Sequence, residues 1–94
     1  MSHSRVDYTE FNKLAPELAA ALLALSKVTG GQSGLERDML ELVKVRASQI
    51  NGCAFCSQYH INMARDLQVP QAKLDLLAAW QDAGIYSARE MAAL

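Results

Sequence analysis

The chain holds two cysteines, Cys53 and Cys56, both in the stretch NGCAFCSQYH (51–60), with His60 four residues after the second. Three chemistries suit that spacing: a structural disulfide, part of a metal site, or a redox dithiol. On a helix turning ~100° per residue, positions i, i+3 and i+7 fall within about 60° of one another. Cys53, Cys56 and His60 then share a face. Met63, Ala64 and Leu67 continue it, while Gln58, Asn62, Arg65 and Asp66 lie opposite. A recessed site is expected. Asn51-Gly52 reads as a turn, so the helix should begin near Cys53, where unpaired amides favour a thiolate. An imidazole one turn away can take the thiol proton or stabilise the anion, and Cys56 and His60, at i and i+4, are best placed to meet.

A purely structural bridge is poorly motivated, because so short a loop constrains little of the unfolded chain. A zinc site has only Cys53, Cys56 and His60 at hand, and a structural zinc needs a fourth ligand; His3 is the one further candidate of that kind. The plain alternative is two buried cysteines and a histidine that packs between helices. The redox reading is favoured because no secretory signal is visible, and close cysteine pairs in a reducing, cytoplasmic setting are more often catalytic or metal-binding than structural.

The elements that must position these residues are helices. The chain has 94 residues, 51% of them hydrophobic but only 6% aromatic, so its apolar content is mainly Ala and Leu. One domain is expected, all-α. Helices are predicted over 14–28, 35–50, 53–68, 70–82 and from 87 onward. TGGQSG (29–34) and Val69-Pro70 are the breaks. Ser33-Gly34-Leu35-Glu36 and Ser87-Ala88-Arg89-Glu90 have capping-box spacing. A capped helix with so few residues after Ser87 is marginal by itself. It is expected of a piece of a longer chain, or of one supported by a neighbouring subunit.

Nucleic acid is not an expected partner: the formal net charge is −1 and the basic residues are dispersed. Nor is a membrane, since APELAAALLALSKV (15–28) carries Glu17 and Lys27 and falls short of the ~20 apolar residues of a span. The apolar excess in so short a chain predicts a homo-oligomer with an apolar helical interface.

The block LERDMLELVKVRASQINGCAFCSQYHINMARDL (35–67) resembles the core of the alkylhydroperoxidase AhpD-like family, within the carboxymuconolactone decarboxylase superfamily. A looser likeness runs through 74–94. The family pattern is a glutamate, a C-x-x-C beginning twelve residues later, and a histidine four residues after the second cysteine. Glu41, Cys53, Cys56 and His60 stand in those places. The resemblance implies a thiol-dependent peroxidase on a helical, oligomeric scaffold, with no bound cofactor and no metal. It implies that Cys56 attacks the hydroperoxide, Cys53 resolves, and His60 with Glu41 relays the proton. A lipoyl-bearing or thioredoxin-like dithiol protein would be the reductant. A general thiol–disulfide oxidoreductase and a redox-responsive module without turnover are the alternatives on the same fold. Better-known relatives carry a second histidine where this chain has Phe55, which implies a simpler proton network here or a lower activity.

Apart from that register, Glu41 reads as a solvated residue. The apolar face of its helix is expected to be Leu35, Met39, Leu42, Val43 and Ile50, with Glu41 off-centre beside Val45 and Ser48. Arg46 projects near the middle of that face, where an unpaired guanidinium is costly. A salt bridge, or a stem lying along a subunit interface, is expected for it. Gln58 and Tyr59 are expected to point to the flank, and Trp80 to anchor the core or an interface.

Overall fold

The computed structural model describes residues 6–32 and 34–94, and every regular element among them is helical. The chain divides at Gly34 into two compact units.

The first unit holds α1 (Tyr8–Leu14) and α2 (Pro16–Gln32). Helix α1 was not expected from the sequence. Its start is set by Asp7, whose Oδ1 accepts the Glu10 amide at 2.8 Å. Ala15 leaves helical geometry (φ −136°, ψ 64°), as a residue before proline is driven to do, and Pro16 opens the next helix. Helix α2 runs through Gly30 and Gly31, so the glycine-rich break begins later than the sequence suggests. Leu18, Leu22, Leu23, Leu25 and Val28 on it are exposed. No helix among the described residues is long and apolar enough to cross a membrane.

The second unit begins with α3 (Arg37–Asn51) and α4 (Ala54–Asp66). Helix α3 is preceded by Glu36 in extended geometry. Ser33, the expected cap, lies outside the described residues. Helix α4 ends where Gln68 takes a left-handed conformation (φ 63°) and the Val69 amide bonds back to the Ala64 carbonyl at 3.0 Å. The segment expected as one helix over 70–82 is instead α5 (Gln71–Asp75), a 3₁₀ turn (Leu77–Ala79) and α6 (Trp80–Ala83). Leu74 and Leu77 both face one core with Leu42, Val45, Ala64 and Tyr86. Ala64 is fully buried, and having only a methyl side chain it lets α4 lie close to its neighbours. Trp80 is partly buried against this core, as an anchor should be.

The short last helix, α7 (Ala88–Ala93), is held from within its own unit. Its capping box is complete: the Glu90 amide donates to Ser87 Oγ at 3.1 Å, and the Ser87 amide donates to Glu90 Oε1 at 2.8 Å. Glu90 also accepts from Lys73 Nζ on α5 at 2.8 Å through each oxygen. The Tyr86 hydroxyl donates to the Lys73 carbonyl at 2.6 Å, and Leu94 packs on the core.

These contacts predict how stability varies with acidity. Burial pushes the Glu90 carboxyl up, but the hydrogen bonds from Lys73 and Ser87 and the Lys73 charge outweigh it and hold the pKa below the usual value. A carboxyl lowered on folding stabilises the native state above its unfolded pKa, about 4.3, and that contribution fades as pH falls through the folded value. Glu90→Gln should therefore cost about 1–2 kcal/mol near neutral pH, and the gap from wild type should close below about pH 4. Urea unfolding across pH 3–7 measures this. A gap that persists unchanged at the acid end would place the effect elsewhere.

Candidate active site

The site is made by a sharp reversal between α3 and α4. Gly52 ends α3 in a left-handed conformation (φ 66°), which a side chain would disfavour, and its amide bonds back to the Gln49 carbonyl at 3.1 Å. The Cys53 amide reaches back to the Ser48 carbonyl at 3.0 Å, completing a Schellman-type stop. One residue after the glycine, the chain starts a new helix with Cys53 as its N-cap.

The Cys53 sulfur accepts a hydrogen bond from the Cys56 amide at 3.2 Å, the place usually taken by a serine or aspartate oxygen. The two cysteines are joined as a disulfide, with Cα atoms 5.3 Å apart. Both are half-buried, as the shared face predicts, and the rest of that face follows: Ala64 is buried, Met63 and Leu67 half-buried, and Gln58, Asn62, Arg65 and Asp66 exposed. A sulfur at a helix N-terminus meets an amide N–H and the positive end of the helix dipole, both of which favour negative charge on it.

Across the two helices, His60 Nδ1–H donates to Glu41 Oε2 at 2.7 Å. This engages one ring nitrogen and leaves Nε2 as the proton acceptor in the neutral ring. Cys56 and His60 are one turn apart on α4, so the acceptor and the thiol belong to the same helical stripe. Glu41 is only 8% exposed, and Lys44 Nζ lies 3.7 Å from its other oxygen. A carboxylate so placed needs partners for its charge, and it has the imidazole on one oxygen and the ammonium on the other.

The expected place of Glu41 on its helix is thus corrected. The buried face of α3 is Met39, Glu41, Leu42, Val45 and Ser48, whereas Leu35 and Ile50 are exposed. The face is rotated toward Glu41 because α4 packs there, and the carboxylate enters the core with a partner waiting. Tyr59 is exposed, as a flank position implies, yet it touches the site. Its ring meets the His60 ring nearly at right angles (89°) with centroids 5.1 Å apart, and Phe55 stacks on it at 6.2 Å. The signal was the i,i+4 spacing of the two aromatic residues. Gln58 does sit on the flank, donating to Asn62 Oδ1 at 2.9 Å.

Arg46 forms no ion pair among the described residues; its Nε is buried without a hydrogen-bond partner, and so is Gln49 Oε1 one turn on. The expected intrachain salt bridge is therefore not seen. His3, the further zinc candidate, lies outside the described residues. Among those described, no three His, Cys, Asp or Glu side chains are grouped to hold a metal ion.

The family model of the carboxymuconolactone decarboxylase family matches residues 16–94. An uncharacterised protein of Bacillus subtilis (strain 168), YdfG, is 40% identical over 90 residues, covering 96% of this chain. The chain spans 58% of that relative's length. No solved structure matches.

Proposed function

The chain belongs to the carboxymuconolactone decarboxylase family, and from that premise we propose that it is a thiol-dependent peroxidase of the alkylhydroperoxidase type. The observation that carries the reading is a bondable Cys53–Cys56 pair on the same helical stripe as a histidine, which a buried carboxylate grips at 2.7 Å. The decarboxylase branch of the family generally lacks the cysteine pair, so its lactone chemistry is not carried over.

The steps balance as follows. The Cys56 thiolate attacks the hydroperoxide; the S–O bond forms, the O–O bond breaks, and the organic oxygen leaves as an alkoxide that takes a proton through His60. The Cys53 thiolate then attacks the Cys56 sulfenic acid, forming the disulfide and releasing the hydroxyl, with a proton, as water. Two electrons pass from the sulfurs to the peroxide. An external dithiol, lipoyl-bearing or thioredoxin-like, returns them by exchange. The Cys56 amide supports Cys53 as a thiolate in two of these steps, as resolving nucleophile and as leaving group when the disulfide is reduced. A reducing cytoplasm suits the cycle. A homo-oligomer is part of the proposal, supported by the exposed apolar residues of α2.

The test is direct. Reduced protein treated with an organic hydroperoxide should lose two thiols per chain and yield one equivalent of alcohol, and a dithiol reductant should make the reaction catalytic. Thiol loss that proceeds no faster than in a small-molecule dithiol would favour the redox-responsive module over the enzyme.

A further inference from the structure

Resting on that reading, we infer that Tyr59 is a positioning residue, which holds the His60 imidazole in register with Glu41 and keeps its Nε2 as the proton acceptor. His60 is tethered at one atom, Nδ1, through a single hydrogen bond of 2.7 Å. One bond leaves a ring free to swing about its tether, and rotation would weaken the alignment of Nδ1 with the Glu41 carboxylate. The second constraint is the Tyr59 ring, set at 89° to the imidazole with centroids 5.1 Å apart. That is an edge-to-face pair within the range aromatic rings prefer. Glu41 and Tyr59 thus fix the imidazole by two different kinds of contact, a hydrogen bond at one atom and a perpendicular ring pair.

Tyr59 is itself braced, since Phe55 stacks on it at 6.2 Å and an interplanar angle of 20°. The series Phe55, Tyr59, His60, Glu41 runs from the residue just before Cys56 to the buried carboxylate. Tyr59 and Phe55 are 52% and 64% exposed, so neither is where it is in order to fill the core. The Tyr59 hydroxyl makes no hydrogen bond among the described residues, so the positioning is assigned to the ring.

The experiment compares Tyr59→Leu and Tyr59→Phe with wild type in the full chain, with helix content checked by circular dichroism. Two readouts are taken: the tautomer of His60 from long-range ¹H–¹⁵N correlation, and the rate of hydroperoxide reduction with a small dithiol as reductant. Wild type and Tyr59→Phe should show the Nδ1–H tautomer and equal rates. Tyr59→Leu should show a mixture of tautomers and a rate lower by about two- to tenfold, the fold-change that the coupling of one aromatic pair can supply. Phe55→Leu should move both readouts in the same direction but less. A Tyr59→Leu protein with the wild-type tautomer overturns the proposal, and so does an equal loss in Tyr59→Phe, which would assign the effect to the hydroxyl. Should the protein prove not to reduce hydroperoxides at all, the tautomer still decides the role of Tyr59, so the two failures are distinguishable.

Discussion

Cys56→Ser is expected to abolish hydroperoxide turnover, by about a thousandfold or more, whereas Cys53→Ser still consumes one equivalent of hydroperoxide and then stops. Loss of a nucleophile removes the bond-forming atom itself, and losses of that order or larger follow when such a residue is deleted. The structure makes the choice between the two sulfurs a real contest. Cys53 is the N-cap and receives the Cys56 amide at 3.2 Å, so it has the stronger electrostatic support as a thiolate. Cys56 lies in the first turn of the same helix and one turn from His60. A stable thiolate is not by itself a good peroxide nucleophile, because intrinsic nucleophilicity falls as the pKa falls. The attacking sulfur also needs a proton delivered to the departing oxygen, and only Cys56 has the histidine at i,i+4. Trapping the sulfenic acid with a tagged nucleophile in each single variant separates the roles. An adduct that forms on Cys53 alone would reverse them.

The helical class and the dithiol stripe were legible in the sequence because both depend on local rules. Period and turn residues bring α3 and α4 nearly to where they stand, and capping spacing does so for α7, with Gly52 and Ser87 in the roles their types suggest. What local rules could not supply was the partner surface. Glu41 looked solvated because its neighbours on α3 gave no reason to bury a carboxylate; His60, on the next helix, is that reason. The break at Leu76 is hidden from local rules because 71–82 has no proline or glycine, and Leu74 and Leu77, at i and i+3, would share a face on an unbroken helix too. The start of α1 has a local signal as well, since Asp7 with Glu10 three residues on is the same pattern that Ser87 and Glu90 give. Tyr59 stands on the flank, as its angle on the helix implies, and its ring reaches His60 from there; angular position alone does not say how far a ring reaches.

His60→Gln should slow alkylation of Cys56 and hydroperoxide turnover by very different factors, and the difference identifies what the imidazole does. An unperturbed thiol with a pKa near 8.5 is only about 3% thiolate at pH 7, so complete ionisation could raise the reactive fraction about thirtyfold. The fall in nucleophilicity cancels roughly half of that gain on a logarithmic scale. Support of the thiolate alone is therefore worth less than about tenfold at neutral pH. Proton transfer to a leaving oxygen in the transition state is worth about 10²–10⁴. In a Cys53→Ser background, alkylation of Cys56 followed against pH reports the thiolate only, and His60→Gln should shift its rise to higher pH with less than a tenfold loss at pH 7. Turnover of hydroperoxide by the two-cysteine protein reports both functions, and the same substitution should lower it by about a hundredfold or more. Glu41→Gln should follow the same pattern with smaller losses, because it acts through the 2.7 Å bond to Nδ1 and not on sulfur. Equal losses in the two assays would confine His60 to stabilising the thiolate. Unchanged rates in both would make it a packing residue and leave the cysteines to act without a proton relay.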